Sequence, residues 1–165
     1  MMTQSYQLRP MEERDAQTVM DIFNHYVENS FAAYPQDRLP HQFFGVMQAS
    51  FNGFPHAVVT WGDEVVGFGG LRAYNPMPVF KKTAEISYFI KPGHTAKGLG
   101  AILLGHLIEG ARQMGIESIL ASISSLNETS LKFHKKHGFA QCGEFKRIGY
   151  KNETYFDVVY MQKFI

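Results

Sequence analysis

The sequence has a single cysteine, almost no net charge and no long apolar run. Because Cys142 stands alone, an intrachain disulfide and a multi-cysteine zinc or iron–sulfur site are excluded. The 16 lysines and arginines nearly balance the 15 aspartates and glutamates, which leaves a formal charge of +1. We therefore expect neither nucleic acid nor a membrane surface as a partner. No window approaches the ~18 apolar residues that a membrane span requires.

Length and composition indicate a globular chain. With 165 residues, 45% of them hydrophobic and 19% charged, the chain has the size of one domain. We expect a single domain over residues 1–165, since no repeat or Pro/Gly/Ser-rich linker interrupts it. The first ten residues, MMTQSYQLRP, contain no apolar run, so we expect no signal peptide. A lone cysteine fits a reducing compartment, and we predict a cytoplasmic location.

The apolar pattern predicts a mixed α/β sheet with flanking helices. Residues 56–61 and 64–71 have strand-like composition and are joined by a Gly62-Asp63 turn, which predicts a hairpin. Residues 83–90, 99–114 and 118–124 follow as strand, helix and strand, which predicts a right-handed βαβ unit with parallel strands. The other predicted elements are a strand at 6–9, a helix that begins after an N-cap at Asp15, helices at 43–51 and 129–137, and strands at 139–148 and 154–162.

A glycine-rich turn opens the longest predicted helix. Gly98 and Gly100 remove side chains at the helix start, where backbone N–H groups and the helix dipole favour an anion such as a phosphate. The alternative is a turn that needs its glycines for conformation alone. A P-loop is excluded because Leu99-Gly100 stands where Lys and Ser/Thr are needed, and a dinucleotide fingerprint fails at Leu103.

Three polar residues are candidates for chemistry, each with a structural alternative. Glu85 lies in an apolar strand, where it is either a solvated side chain or a carboxylate in a cleft that can act as a base. Asn127 is either a helix N-cap or a ligand contact. His134 lies on the apolar side of a helix, as a core residue or as a catalyst. Its spacing from His137 does not match H-E-x-x-H, so no metal site is predicted.

Further segments occur in a fixed order along the chain. They are Asn24-His25, Phe31-Ala32-Ala33-Tyr34, Thr83-Ala84-Glu85, Ser130 to His134 with Gly138-Phe139, and Gly149-Tyr150-Lys151 with Asp157 to Gln162. With the glycine turn, this set resembles the GCN5-related N-acetyltransferases over essentially the whole chain, and within them the phosphinothricin / methionine sulfone acetyltransferase branch. The resemblance implies the GNAT fold, a mixed and mostly antiparallel seven-stranded sheet with a central splayed parallel strand pair and flanking helices.

The resemblance also implies a reaction. Acetyl-CoA is the donor, and a primary amine attacks its thioester directly. Glu85 is implied as the base that deprotonates the amine, directly or through water. A backbone N–H on residues 89–91 is implied as the donor to the oxyanion. His134 stands where many relatives carry a tyrosine that protonates the leaving thiolate, so it is implied as an acid or a relay, with packing as the alternative.

The resemblance assigns binding residues as well. For acetyl-CoA, the backbone of one strand would pair with the pantetheine arm, the glycine turn would cradle the pyrophosphate, and an asparagine would contact the arm. These residues are Phe89, Ile90 and Lys91 for the strand, Lys97, Gly98, Leu99, Gly100 and Ala101 for the turn, and Asn127 for the arm. An acceptor pocket rich in aromatics would contain Phe31, Tyr34, Tyr74, Asn75, Phe80 and Tyr155. Because the branch is often dimeric, a homodimer is expected, with the C-terminal strands as a candidate interface.

Several departures from the family pattern bear on the substrate. The superfamily turn opens with Arg or Gln followed by Gly, where this chain has Thr95 and Ala96, which predicts weaker donor binding. Basic residues of the branch are replaced by Tyr74-Asn75 and Thr154-Tyr155, and Arg72, Lys81, Lys82 or Arg147 could take over the grip on an acceptor carboxylate.

Three functions therefore stay open. The first is acetylation of a small amino-acid-like amine of the methionine sulfone, methionine sulfoximine or phosphinothricin type. The second is the same chemistry on a protein N-terminus, a lysine or a polyamine, and the third is a non-catalytic acyl-CoA-binding module. An arginine in the acceptor cleft would favour the amino acid, and an acidic cleft would favour a cationic acceptor.

Overall fold

The computed structural model describes residues 5–165. The predicted domain 1–165 and the expectation about a signal peptide include residues 1–4, which lie outside the described residues, and both stay predictions. The strands are β1 (Tyr6–Arg9), β2 (His56–Trp61), β3 (Glu64–Ala73), β4 (Thr83–Ile90), β5 (Ser118–Ser124), β6 (Ala140–Lys151) and β7 (Thr154–Phe164). The helices are α1 (Ala16–Asn29), α2 (Phe43–Ser50), α3 (Leu99–Gln113) and α4 (Glu128–Lys136).

The strands form one seven-stranded sheet in the order β1-β2-β3-β4-β5-β7-β6. All neighbours are antiparallel except β4 and β5, which are parallel and joined through α3. This confirms the predicted GNAT-type sheet with its central parallel pair. Three strands were predicted to end too early, since β3 continues to Ala73, β6 to Lys151 and β7 to Phe164.

The parallel pair opens after a short stretch. Thr83–Glu85 of β4 pair with Ser118–Leu120 of β5, and residues 86–90 and 121–124 then continue without pairing with each other. Each strand keeps its antiparallel neighbour on the other side, β3 for β4 and β7 for β5. The result is a gap in the middle of the sheet, and its edges carry backbone groups that the sheet itself does not use.

Helices cover both faces of the sheet because the strand side chains alternate between them. In β2, Val58 packs under α1 and α2, whereas Ala57 and Val59 pack with Leu99 and Leu103 of α3 on the opposite face. A larger cluster joins the rest of α3 to β4, β5 and β7. The gap between β4 and β5 therefore has α1 on one side and α3 on the other.

The loop that follows α1 is fixed by two buried polar residues. Asn24 donates to the Leu39 carbonyl and accepts from the Leu39 amide, each at 2.8 Å. Lys151, only 2% exposed, donates to three backbone carbonyls at 2.6–2.9 Å, those of Val27, Ser30 and Ala33. Burial lowers the pKa of the Lys151 ammonium. These contacts fix both ends of the loop 30–40. They give a structural reason for Asn24 and Lys151 in the short segments on which the family resemblance rests.

Asp15 differs from its prediction. It occupies the position before α1, but its side chain makes no cap hydrogen bond to that helix. Its carboxylate instead accepts from Arg9 at 2.6 and 2.8 Å and from the Glu12 amide. Burial on its own would raise the pKa of Asp15, but the hydrogen bonds from Arg9 and Glu12 outweigh burial and keep this pKa below its usual value.

Candidate active site

A cavity of about 770 Å³ occupies the gap between β4 and β5. Residues 85–90 of β4 and 121–124 of β5 form its sides, and the loop 32–35, the start of α3 and one face of α4 close it. Side chains alternate along β4, so the cavity has one end on each face of the sheet. Phe89 packs against Phe23 and Tyr26 of α1, whereas Tyr88 packs against Phe133 and His134 of α4.

We name the two ends by their most distinct features. The ion-pair end, on the α1 face, consists of Tyr34, Arg72, Glu85 and Ser122. The α3 end, on the opposite face, consists of the turn 94–101 with Asn127, Ser130, Phe133 and His134 of the α4 region. All of these residues except Lys97 line the cavity.

The ion-pair end is built across the β3–β4 ladder. Arg72 lies directly opposite Glu85 in the register, and side chains at such positions share one face of the sheet. Nε and Nη2 of Arg72 donate to the same carboxylate oxygen, Oε2 of Glu85, at 3.1 and 3.0 Å. The Glu85 side chain is 16% exposed and that of Arg72 is 45% exposed, so the guanidinium is the outer partner. Within residues 5–165, Oε1 of Glu85 and Nη1 of Arg72 make no hydrogen bond.

Tyr34 brings the loop after α1 to the same place. Its hydroxyl lies 3.2 Å from Oγ of Ser122 on β5, and its ring stacks on Phe156. Burial of the hydroxyl raises the pKa of Tyr34, and the negative charge of Glu85 contributes to this rise. The phenol is therefore a neutral hydrogen-bonding group beside the ion pair at neutral pH.

The start of α3 presents backbone groups at this end. Gly98 precedes α3 with φ +80°, a left-handed conformation that glycine adopts without strain. No described side chain caps the helix, and the first intrahelical bond runs from the Ile102 amide to the Gly98 carbonyl. The amides of residues 99–101 therefore point out of the helix start, an arrangement that binds anions. A methyl group on Gly100 would come within 3.3 Å of the Phe133 ring.

A hydrogen-bonded chain crosses from β4 to α4. Nδ1 of His134 lies 2.7 Å from the Ser130 carbonyl oxygen, which can only accept, so Nδ1 carries the proton. Burial lowers the pKa of His134, which favours the neutral ring. Nε2 then accepts from the Tyr88 hydroxyl at 2.6 Å. Burial also raises the pKa of Tyr88, so both groups are neutral and their protons are engaged with each other and with Ser130.

The structure brings most of the predicted donor-site residues together. The residues of this group that line the cavity are Phe89, Ile90, Gly98, Leu99, Gly100, Ala101 and Asn127. Asn127 also serves as the N-cap of α4, since its side chain accepts from the Ser130 amide. The predicted catalytic pair, Glu85 and His134, lines the cavity as well, from opposite faces of the sheet.

Two lysines of the predicted donor site lie outside the cavity lining. The Lys91 amide donates to the Val66 carbonyl at 2.8 Å, and its ammonium pairs with Glu64. Its N–H is thus used within the sheet and does not face a ligand. Lys97 is exposed in the turn. Their roles in binding stay predictions.

Of the six predicted acceptor residues, Tyr34 alone lines the cavity. Phe31 packs against Phe156, and Tyr74 packs against Phe80. Tyr155 packs against Tyr150 with the two rings tilted, beneath the Arg147 guanidinium. Asn75 accepts from the Met77 amide in the loop after β3. An acceptor role for these five residues stays a prediction that the cavity does not support.

The sequence did not single out three residues of the site. Tyr88 carried no motif, Ser122 lies in an apolar strand, and Tyr26 donates to the Ile90 carbonyl, a group predicted to face the donor. Arg72 was one of four cations that could replace missing basic residues. Its position opposite Glu85 depends on the β3–β4 register, which the long connection 74–82 does not fix as a two-residue hairpin turn would.

The comparison with known proteins decides the family. The model of the acetyltransferase (GNAT) family matches residues 17–139. The chain belongs to this family. An L-methionine sulfoximine/L-methionine sulfone acetyltransferase of Pseudomonas aeruginosa is 30% identical, over 96% of this chain and 94% of its own. A Salmonella typhimurium acetyltransferase solved with acetyl-CoA has a TM-score of 0.86 at 26% identity, and the match covers 96% of this chain and 93% of that one. A ribosomal-protein-alanine N-acetyltransferase from Brucella melitensis has a TM-score of 0.90 at 28% identity, and the match covers 96% of this chain and 99% of that one.

The protein is thus an N-acetyltransferase that uses acetyl-CoA as co-substrate. The described residues fit that molecule: an open gap between β4 and β5 can accept an extended arm, and the unpaired amides at the start of α3 suit a diphosphate. Ala96 takes a left-handed φ of +58° in this turn, at the position where the superfamily has glycine.

Two further observations concern residues 5–165. No helix in this part of the chain combines the length and the apolar character that crossing a bilayer requires. Nor do three or more His, Cys, Asp or Glu side chains come together there in an arrangement that could hold a metal ion.

Proposed function

We propose that this acetyltransferase transfers the acetyl group of acetyl-CoA to the primary amine of a small amino-acid-like acceptor, of the methionine sulfone, methionine sulfoximine or phosphinothricin type. The observation that carries the proposal is the ion-pair end of the cavity, where a carboxylate and a guanidinium face the same space. A zwitterionic acceptor presents one group complementary to each of them. The relative from Pseudomonas aeruginosa, with such acceptors in its name, supports the same choice.

Glu85 is the proposed base. An amine is protonated at neutral pH, and it must lose a proton before its nitrogen can attack a carbonyl carbon. Oε1 of Glu85 makes no hydrogen bond within residues 5–165 and can accept that proton, while Arg72 holds Oε2. Acetyl-CoA supplies the activated acyl group. After the attack the nitrogen gives up a second proton, which balances the one that the leaving thiolate gains.

His134 is proposed as a positioning residue for Tyr88 and as a proton acceptor rather than a donor. In the neutral tautomer its only N–H is bound to the Ser130 carbonyl, and Nε2 can accept but not supply a proton. The pair fixes the Tyr88 hydroxyl in the cavity wall, beside the gap that the thioester would occupy. This supports a positioning role, one of packing against Tyr88, over the acid and relay roles.

The oligomeric state and location are further parts of the proposal. Aromatic and aliphatic side chains are exposed on the β6–β7 hairpin, among them Phe145, Ile148 and Tyr150, which supports a homodimer through this hairpin. Light scattering would detect it, and a monomeric mass would overturn it. A cytoplasmic location stays a prediction from the cysteine content.

The proposed function is tested by thiol release from acetyl-CoA across a panel of amines. The panel contains methionine sulfone, methionine sulfoximine, phosphinothricin, free amino acids, spermidine and short peptides. Preferential turnover of the amino-acid-like compounds supports the proposal. Turnover confined to spermidine or to peptides would move the acceptor to the cationic or N-terminal class. Acetyl-CoA binding without turnover of any amine would favour the non-catalytic module.

A further inference from the structure

The ion pair between Arg72 and Glu85 is asymmetric. The guanidinium of Arg72 donates from both Nε and Nη2 to a single oxygen of Glu85. A bidentate pair would instead engage both oxygens of the carboxylate. The off-centre arrangement leaves Nη1 of Arg72 and Oε1 of Glu85 without a hydrogen bond in the described part of the chain. One donor and one acceptor of the same ion pair are thus available.

The two side chains of the ion pair differ in how far they are exposed to solvent. The Glu85 side chain is 16% exposed and the Arg72 side chain 45% exposed. Both line the cavity, and Arg72 is the more exposed. A molecule that enters from solvent at this end meets the positive charge of Arg72 before the carboxylate of Glu85. Attraction of a simple polycation is weakened there because the single carboxylate is already paired with a cation.

The chemistry of the available groups points to one ligand class. Nη1 is a charged donor that suits a carboxylate. Oε1 is an acceptor that suits an ammonium group. In an α-amino acid both complementary groups are attached to the same carbon, so a carboxylate held on Arg72 brings its own amine towards Glu85.

We propose that Arg72 is the specificity-determining residue for an acceptor α-carboxylate, with Nη1 on the substrate carboxylate while Nε and Nη2 keep Glu85 in place. The inference rests on the proposed function and names the residue that reads its substrate class. The guanidinium then lies between two carboxylates, and the substrate ammonium completes a charge-balanced set. The ammonium gives one proton to Oε1, Glu85 becomes a neutral acid, and the nitrogen lone pair is released for attack.

The test compares two acceptors that differ only in the carboxylate. One is the amino acid that the wild-type enzyme turns over fastest, and the other is the amine that lacks only its carboxyl group, such as 3-(methylsulfonyl)propylamine for methionine sulfone. We expect wild-type kcat/KM to favour the amino acid by at least ~30-fold. In Arg72→Met this ratio should fall to within about threefold of one, mainly through a higher KM for the amino acid.

The ratio of the two kcat/KM values separates two possible roles of Arg72: binding of the substrate carboxylate, and holding Glu85 in place. Loss of the ion pair alone would slow both acceptors by the same factor and leave the ratio unchanged. Arg72→Lys keeps the charge and should restore part of the ratio, and Arg147→Met, which removes a guanidinium outside the cavity, should leave it unchanged. Thermal melting of each variant checks that the fold is retained.

Two results overturn the inference and leave the proposed N-acetyltransferase in place. The first is a wild-type enzyme that acetylates both acceptors equally, and the second is an Arg72→Met enzyme that loses activity on both by one factor. Absence of acetylated product from every amine would instead overturn the proposed function, and with it this inference.

Discussion

The two ends of the cavity are built in different ways. At the α3 end, the turn before α3 offers backbone amides, held in place by Gly98 and by the helix that follows. At the ion-pair end they are side chains from four separate elements: Tyr34 from a loop, Arg72 from β3, Glu85 from β4 and Ser122 from β5. A backbone site tolerates change in its neighbours, whereas a side-chain site changes with each substitution.

This difference matches the two tasks of the enzyme. The donor is common to the family, and a site made of main-chain amides binds it with little dependence on sequence. The acceptors named for the relatives differ, and under the proposed function the acceptor meets the part of the cavity that substitutions can alter most easily. The two ends also lie on opposite faces of the sheet, so we expect changes at one to leave the other largely unaffected.

Glu85→Gln should give the largest effect. The amide keeps the size of the side chain but cannot accept the proton of an ammonium group. We expect kcat to fall by at least ~100-fold, because general-base catalysis contributes about that much. Steady-state rates of thiol release with the best acceptor measure it. Activity equal to wild type would remove Glu85 as the base.

Lys151→Met should be the next largest effect, and it acts on the loop that carries Tyr34. The substitution leaves three carbonyls without their donor. We expect a loss of about 3 kcal/mol in the free energy of unfolding and a higher acceptor KM. Urea denaturation measures the first quantity. Lys146→Met, at an exposed position with surface ion pairs, is the matched control and should cost less than about 1 kcal/mol.

Gly98→Ala tests the α3 end. Its φ of +80° disfavours any residue with a Cβ atom at a cost of about 1–2 kcal/mol. Acetyl-CoA should bind up to ~10-fold more weakly, as measured by calorimetry. Gly105→Ala, in the same helix where a methyl group meets no atom within 4 Å, should leave binding unchanged and stabilise the helix. Equal effects of both would contradict a role for the turn.

His134 should give the smallest effect, seen in the dependence of stability on pH. Burial lowers its pKa in the folded protein, so the unfolded chain takes up this proton first as the pH falls below about 6.5. The contribution is fully present above that value and is lost below it. The free energy of unfolding should therefore fall more steeply between pH 7 and pH 5 in wild type than in His134→Gln. Parallel slopes would show that His134 is not buried in its neutral form.

The sequence predicts the α3 end better than the ion-pair end, for physical reasons. Gly98, Gly100 and the following helix are adjacent in the chain, so local signals are sufficient to place the turn. The contact between Arg72 and Glu85 depends on a register set by the long connection 74–82. The bond between Tyr88 and His134 joins residues far apart in sequence, and only the packed fold brings them together.

The elements themselves show the same limit. Strand-like apolar composition predicted β2, β4 and β5 to the residue. The side chain of Asp15 was predicted to cap α1, and Arg9 holds it instead. A local cap preference cannot foresee a cation that another strand supplies.

Independence of the two ends of the cavity is tested most directly by the acetyl-CoA affinity of Glu85→Gln. Calorimetry on wild type and variant gives the two Kd values under the same conditions. We expect the two values to agree within about twofold, although the variant has lost nearly all turnover. If the acetyl-CoA Kd of Glu85→Gln rises by the same factor by which its kcat falls, the two ends are not independent, and donor binding depends on the ion pair.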